Sequence, residues 1–507
     1  MKAVTCVLLV LFVSSADELN GASLSLERTV VYDSSVSGNE WPYGLYKRGC
    51  AVYTCNDGCV GGIPNYVLNI PEASPGSLPD TLVIIDFDST LTCQQRLVVE
   101  DWPEGTYWFQ GKLGGVRIYS VKDSLGVSCS VFVETDDVSI TGNYVDNIST
   151  YYENLYVSGY GGLQELTFNP TLGTATVSQS STGRTGLGAY RFGSSIYEAA
   201  HHKLASPGID SFTVYIRPDS ALTSVTDSMV FYVSDIYNES SGFRVMRNIF
   251  SIEGSDVTKI AGFLAFRSGF FGSDTSHLYI FDFESGVISE LSHLTRVSPS
   301  KFVDIVVLDN FAFIKGLDCS AGVNKCKGVI TVYDITDPTN PDSVVAMSIF
   351  ADDDPNVSAL TGQHFLSVYS GRIQVARDVT WDETDPADSL IGDSAWIATG
   401  TYSVFTNWVP SVDPTRQTGY AVVWQSTFTP NTLESYVVGD VNSDHKVNIA
   451  DLTAIIRHLG GSGAVPTPQS RGDVNGDGFI TGADVRVLIA RIFSGGPAPG
   501  WSCNKCP

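Results

Sequence analysis

GDVNSDHKVNIADLTAIIRHL, residues 439–459, recurs as GDVNGDGFITGADVRVLIARIF at 472–493, with every matched position offset by 33 residues. Acidic and amide residues fall at loop positions 1, 3, 5 and 12 of each copy: Asp440, Asn442, Asp444 and Asp451, then Asp473, Asn475, Asp477 and Asp484. Position 7 offers a main-chain carbonyl, from Lys446 and Phe479. Position 9 holds Asn448 and Thr481, which reach an ion directly or through water. Calcium takes roughly six to eight oxygen ligands, and a twelve-residue loop supplies them at this spacing. One D-x-N-x-D is an ordinary turn. Two copies in phase, each running into a helix, point to two calcium sites.

The stretches after the loops repeat too. Leu452, Ile455, Ile456 and Leu459 match Val485, Leu488, Ile489 and Ile492, at the spacing of one helical face. Helices of about ten residues are marginal alone. Packing the two face to face and adding two ions makes them a small domain.

This region, residues 438–493, resembles a type I dockerin, in which half an EF-hand (loop plus exiting helix) is duplicated with Asp at position 12. A paired EF-hand needs a helix before each loop, which the GGSGAVPTPQS between the copies does not allow. The resemblance implies two bound calcium ions and a cohesin-type domain or cell-surface scaffold as partner. Two departures qualify it. Position 6 of the first loop is His445 where the second has Gly478. Ile449-Ala450 and Gly482-Ala483 stand where clostridial dockerins use a Ser-Thr pair against cohesin. Calcium binding therefore carries over residue by residue, and known cohesin specificity does not.

The chain of 507 residues exceeds one compact core and divides into domains. Its opening, MKAVTCVLLVLFVSSADE, reads as a signal peptide over residues 1–16, cleaved after Ala16, which makes the protein secreted. No later stretch reaches the roughly eighteen apolar residues of a membrane span. A formal net charge of −25 repels phosphates, which argues against nucleic acid and anionic lipid as partners. Ten cysteines include Cys6 in the leader. Export favours disulfides, with Cys319–Cys326 the preferred pair. The tail at 494–507 is rich in Pro, Gly and Cys.

Residues 23–436 carry short β-branched and aromatic runs between Gly, Asp, Asn, Pro and Ser, which predicts an all-β region. SSIYEAAHHKLA, from Ser194, is the one stretch suited to a turn or two of helix. Strand-like runs begin at Thr81, Gly114, Gly161, Ser211, His277, Gly328 and Gly371, on average about 48 residues apart, the length of a four-stranded propeller blade. Each reads as an outer hairpin, and VDIVVLDNFAFIKG from Val303 reads as inner strands. GVITVYDITDPTNPDSVVAMSI, from Gly328, resembles the LVIVD-type propeller repeat, which implies a β-propeller of six or seven blades. Gly419–Trp424 would pair near the N-terminal strands to close it. A pair of β-sandwiches fits the same spacing.

Chemistry is sparse. VIIDFDSTLT, with Asp86 and Asp88, has the form of a haloacid-dehalogenase-type nucleophile motif, but that chemistry needs an α/β sheet and a helix soon after the strand. His201-His202, Asp352–Asp354 and the Asp101/Glu104 pair carry no partner pattern that would make a site. The expected β-region role is non-catalytic binding or display. Dockerins are commonly joined to polysaccharide-degrading enzymes, so a glycoside hydrolase or polysaccharide lyase is the alternative. A third possibility is that the dockerin anchors the β region within its own chain.

Overall fold

The structure is a computed structural model, describing most strands from Asp17 to Thr429 and the segment 435–494. Outside the description lie 1–16, 34–41, 57–64, 70–81, 86–96, 123–130, 204–209, 233–249, 268–274, 319–326, 349–365, 377–394, 409–419, 431–434, 467–470, 475–479 and 495–507, with shorter connections. Among the described residues the chain is thirty strands followed by two α-helices.

β1 (Asp17–Glu18) and β2 (Ser23–Asp33) come first, and the next strands form antiparallel sheets in chain order. The first sheet is β3 (Pro42–Arg48), β4 (Ala51–Asn56), β5 (Asn65–Asn69) and β6 (Leu82–Ile85); the second is β7 (Leu97–Trp102), β8 (Gly105–Lys112), β9 (Gly115–Lys122) and β10 (Val131–Ser139). The third is β11 (Val145–Tyr151), β12 (Asn154–Gly159), β13 (Gly162–Asn169) and β14 (Thr174–Ser181). The fourth is β15 (Thr185–Phe192), β16 (Ser195–Lys203), β17 (Asp210–Pro218) and β18 (Asp227–Tyr232). The fifth is β19 (Phe250–Asp256), β20 (Lys259–Arg267), β21 (Thr275–Asp282) and β22 (Ser289–Val297). In the sixth, β23 (Ser300–Leu308), β24 (Phe311–Asp318), β25 (Lys327–Asp334) and β26 (Asp342–Ser348) are joined by β1 on the β26 edge.

The seventh sheet is built from both ends of the β region. β27 (Leu366–Ala376), β28 (Ala395–Trp408) and β29 (Tyr420–Thr429) take β2 as their outermost strand, in register Thr29↔Trp424 and Val30↔Val423. The expected N-terminal pairing of Gly419–Trp424 is therefore present from Tyr420. The short β30 (Ser435–Val437) adds to β28, pairing Ile397↔Val437. First strands pack in succession, β3 on β7, β7 on β11, β11 on β15, β15 on β19, β19 on β23 and β23 on β27, and β27 packs on β3.

Burial explains the weak alternation in these runs. Leu155 to Gly159 in β12 are buried on both faces, while the outer strand β14 is largely exposed. A strand covered on both faces reads as an unbroken apolar run. Five of the seven predicted runs, from Gly114, Gly161, Ser211, His277 and Gly328, are third strands (β9, β13, β17, β21 and β25). The Thr81 run is instead a fourth strand, β6, and the Gly371 run belongs to a first strand, β27. Within SSIYEAAHHKLA, Ser195–Lys203 is not helical: it is β16, bonded to β15 and β17, with Ile196 to Ala200 buried. Pairing on both sides overrides the helical preference of Glu and Ala.

Neighbouring sheets pack face to face. Phe168 of the third sheet meets Tyr107 and Phe109 of the second edge-on, at 4.9 and 5.0 Å between ring centres. Phe313, Ile330, Val332 and Val345 of the sixth cluster with Tyr402, Val404 and Phe428 of the seventh. At the β23–β24 turn, Asp309 takes a left-handed φ of 54° and accepts the Tyr402 hydroxyl at 2.7 Å. The hairpin of β25 and β26 turns through Asp334 and Asp337, which accept from Thr336 and Thr339.

β6 runs antiparallel to β5, and no α-helix precedes Ile449 among the described residues, so the fold needed by the dehalogenase-type motif is not what surrounds it. Asp86, Asp88, Glu104, Asp352–Asp354, Cys319 and Cys326 lie outside the described residues, as do the side chains of Asp101, His201 and His202. His293 stacks on Tyr279 with ring centres 4.0 Å apart.

Candidate metal centre

Strand β30 runs almost directly into the first loop. Gly439, two residues past its end, has φ +93° and donates to the Arg471 carbonyl at 2.8 Å. A Cβ there would lie 3.3 Å from Leu488 Cδ2 and from Val447 Cγ1, so the position calls for glycine twice over. Asp440 follows and is fully buried.

Helix α1 (Ile449–Leu459) begins at Asn448, whose Oδ1 accepts from the Ala450 amide at 2.8 Å, an N-cap. Asp451 completes a capping box: its Oδ2 accepts from the Asn448 amide at 2.7 Å. Its Oδ1 accepts from the amides of Val441, at 2.8 Å, and Asn442, at 3.1 Å. Position 12 thus draws the whole loop round its own carboxylate. Asp444 accepts from the Lys446 amide at 3.0 Å and from Asn442 Nδ2 at 2.9 Å.

The result is a cluster in which Asp440, Asp444 and Asp451 each bring a carboxylate oxygen within 4.8 Å of the others. Asp440 and Asp451 are both 0% exposed. Burial pushes the Asp451 carboxyl above its ordinary range, against the pull of its main-chain hydrogen bonds. Like charges gathered out of water are costly unless a cation balances them. The oxygen donors present therefore fit a hard divalent cation, held by Asp440, Asp444 and Asp451.

The described part of the second copy keeps the capping pattern. Helix α2 (Gly482–Ser494) starts after Thr481, whose Oγ1 accepts from the Ala483 amide at 3.1 Å. The Thr481 amide donates to Asp484 Oδ2 at 2.7 Å, the counterpart of Asn448 and Asp451. Asp473, Thr481 and Asp484 are all buried. Asn475, Asp477 and Phe479 lie outside the described residues, as do His445 and Gly478.

The copies share one core. Val441, Leu452, Ile455 and Leu459 cluster with Val474 and Leu488, flanked by Val447, Ile480, Val485 and Ile492. All of these are partners at the 33-residue offset of the repeat. Ile456 and Ile489, expected on this face, are instead 47% and 42% exposed. In α1 the buried arc runs through Leu452, Leu459, Ile455 and His458. At roughly 100° per residue Ile456 sits well off its centre. His458 takes the buried place, and burial lowers its pKa to about 4.

Sequence reasoning missed Arg471. Its guanidinium Nη1 donates to Asp440 Oδ2 at 3.1 Å and to the Asp440 carbonyl at 3.2 Å, so a residue ahead of the second loop braces the first. The available signal was a break in the repeat: Arg471 occupies the place held by Val438 in the first copy.

Residues 438–493 match the family model of the dockerin type I domain. Dockerins bind calcium and dock onto a cohesin partner, and proteins that carry them are typically extracellular. The dockerin is the C-terminal part of this chain, and its two helices are the two described. Among the described residues no helix is long and apolar enough to cross a membrane. No curated protein matches the chain. Among solved structures it is similar to hydrazine synthase of Kuenenia stuttgartiensis, at 10% identity and a TM-score of 0.38, over 59% of this chain and 79% of that one. A protein from Lactobacillus plantarum has 12% identity and a TM-score of 0.39, over 76% and 99%. AztD from Citrobacter koseri has 13% identity and a TM-score of 0.33, over 61% and 75%.

Proposed function

We propose that this is a secreted docking protein. A signal peptide over 1–16 directs export, a non-catalytic β-propeller over 23–436 binds or displays, and the dockerin over 438–493 holds two calcium ions and engages a cohesin-type scaffold. The observation that carries the reading is the equivalence of the two loops: Asp440 and Asp451 in one, Asp473 and Asp484 in the other, are buried, with the same capping hydrogen bonds. One cluster of this kind is compatible with a turn; a matched pair supports two ions.

The propeller reading takes its support from seven antiparallel sheets, five of them made wholly of consecutive strands, whose first strands follow one another from β3 round to β27 and back. It is strengthened by β2, which supplies the outermost strand of the last sheet from the other end of the chain. Seven blades, the upper of the two counts expected, is the number proposed. The LVIVD-type resemblance of Gly328–Ile349 agrees with the β25–β26 hairpin found there.

Capture of the intact protein on a panel of immobilised cohesins, with calcium and with chelator, tests docking. Calcium-dependent retention by at least one cohesin is expected, and equal retention with chelator would contradict the reading. Screening the same protein against plant and bacterial glycans tests the β region. Binding without product release is the expected result, and release of sugars would make it an enzyme.

A further inference from the structure

The last four carbonyls of a helix have no partner within it. In α1, the Gly460, Ser462 and Gly461 amides donate to Ile456, Arg457 and His458, each at 2.9 Å. With Gly461 at φ +68°, this is a Schellman turn. It leaves the carbonyl of Leu459, and that one accepts the hydroxyl of Tyr151, 308 residues earlier at the end of β11. The β region thus finishes the cap of a dockerin helix.

The receiving surface is organised for this. The Arg191 guanidinium lies over the Tyr151 ring, 4.5 Å from its centre. The same group donates to the Gly193 carbonyl at 3.1 Å, to the Tyr156 hydroxyl at 3.1 Å and to Asp219 at 2.6 Å. Gly193, at the β15–β16 turn, comes so close to the dockerin that a Cβ on it would lie 3.5 Å from the Gly461 Cα. Helix α2 also approaches β7. On the other side of the first loop, β30 is bonded to β28, and Asp440 follows its last residue by three positions. Loop and helix are therefore gripped at both ends by the β region.

The geometry points to a docking surface in cis: Tyr151, Arg191 and Gly193 seat this chain's own dockerin, and calcium binding in the first loop is coupled to that contact. The inference rests on the calcium reading above. Its physical basis is the shortness of α1, eleven residues that carry Asp451 in the first turn and Leu459 at the end. Such a helix is marginal alone. Capping its end lowers the cost of ordering its start, where the ion is held. Calcium in turn holds the helix against Tyr151 and stabilises the β region.

The test uses the full chain. No tryptophan falls within 438–493, so in a W501F background tryptophan fluorescence reports on the β region alone. Tyr151→Phe deletes the hydroxyl and keeps the ring under Arg191. Gly193→Asn, a residue that tolerates positive φ, puts a side chain against Gly461. Calcium affinity is read by titration calorimetry and stability by thermal melts. Saturating calcium should raise the fluorescence transition of the parent by a few degrees, since a ligand of the folded state stabilises what is coupled to it. Tyr151→Phe should weaken calcium binding at one site about fivefold, the worth of one hydrogen bond, and Gly193→Asn should also weaken it. Both should shrink the rise. Normal calcium heats with unchanged affinities in the variants, and a parent transition indifferent to calcium, would overturn the coupling and leave the calcium sites standing. Absence of any calcium heat in the parent would remove the sites and the coupling together.

Discussion

Arg471 Nη1 lies 3.1 Å from Asp440 Oδ2, so the charge that braces the first loop comes from beside the second. Asp440 is 0% exposed, and a buried carboxylate stripped of its partner is costly. Arg471→Met should therefore destabilise the dockerin by about 3 kcal/mol in chelator. The loss should shrink in saturating calcium, which supplies charge to the same carboxylates. Urea melts followed by helical circular dichroism, with and without calcium, would show this; equal losses in both would count against it.

Asp484 ends the second loop and accepts from the Thr481 amide at 2.7 Å. If each loop holds one ion, as proposed, Asp484→Ala should reduce calcium stoichiometry from two to one and cost about 1 kcal/mol of helix capping besides. Calorimetric stoichiometry that stays at two would remove Asp484 from the ligand set.

His458 gives the dockerin a pH dependence. Burial holds its pKa near 4, so the folded protein keeps it neutral, while the unfolded chain takes up the proton at the ordinary value of 6.5. Stability from this group is intact above about pH 6.5 and is lost as pH falls towards 4, by up to about 3 kcal/mol. Burial also raises the Asp451 carboxyl, so the informative quantity is a difference. His458→Leu should lose less stability than the parent between pH 7 and pH 4.5, in chelator, and parallel losses would exclude the histidine.

In the fourth sheet Arg217 Nε lies 2.6 Å from Glu198 Oε2, both side chains being essentially inaccessible. Arg184 reaches the other carboxylate oxygen at 3.2 Å, and both guanidinium groups lie over the Tyr215 ring. Arg217→Met leaves the buried carboxylate with Arg184 alone and should cost about 3 kcal/mol, lowering the fluorescence melt of the β region. Glu198→Gln keeps a hydrogen-bonding group of the same shape and should cost less. The reverse order would mean that packing, not charge, dominates there.

How far the sequence could be read depended on whether local pattern or distant pairing decides a residue's place. The first loop was legible because residue spacing is a local property, and Asp440, Asp444 and Asp451 do converge. Third strands were legible because β9, β13, β17, β21 and β25 are apolar runs bounded by turn residues. SSIYEAAHHKLA misled because its composition favours a helix, and only bonding to β15 and β17 makes it a strand. The exchange of Ile456 for His458 escaped because hydrophobicity says nothing of a helix's rotation against its neighbours. Tyr151 and Arg471 escaped for the same kind of reason: each acts on main chain or carboxylate far away in sequence, and no spacing rule reaches that far.

The pairing of β2 with β29 also sets an order of events. Residues 23–33 are made before their partner and can pair only when 420–429 have followed. Until then the edge strand has nothing to bond, and the last sheet waits for it. The first five sheets are made of consecutive strands and can form as they appear, while the sixth adds β1 at its edge. Assembly of the β region therefore ends with nearly its oldest segment, and truncation anywhere before residue 429 leaves that segment unclaimed.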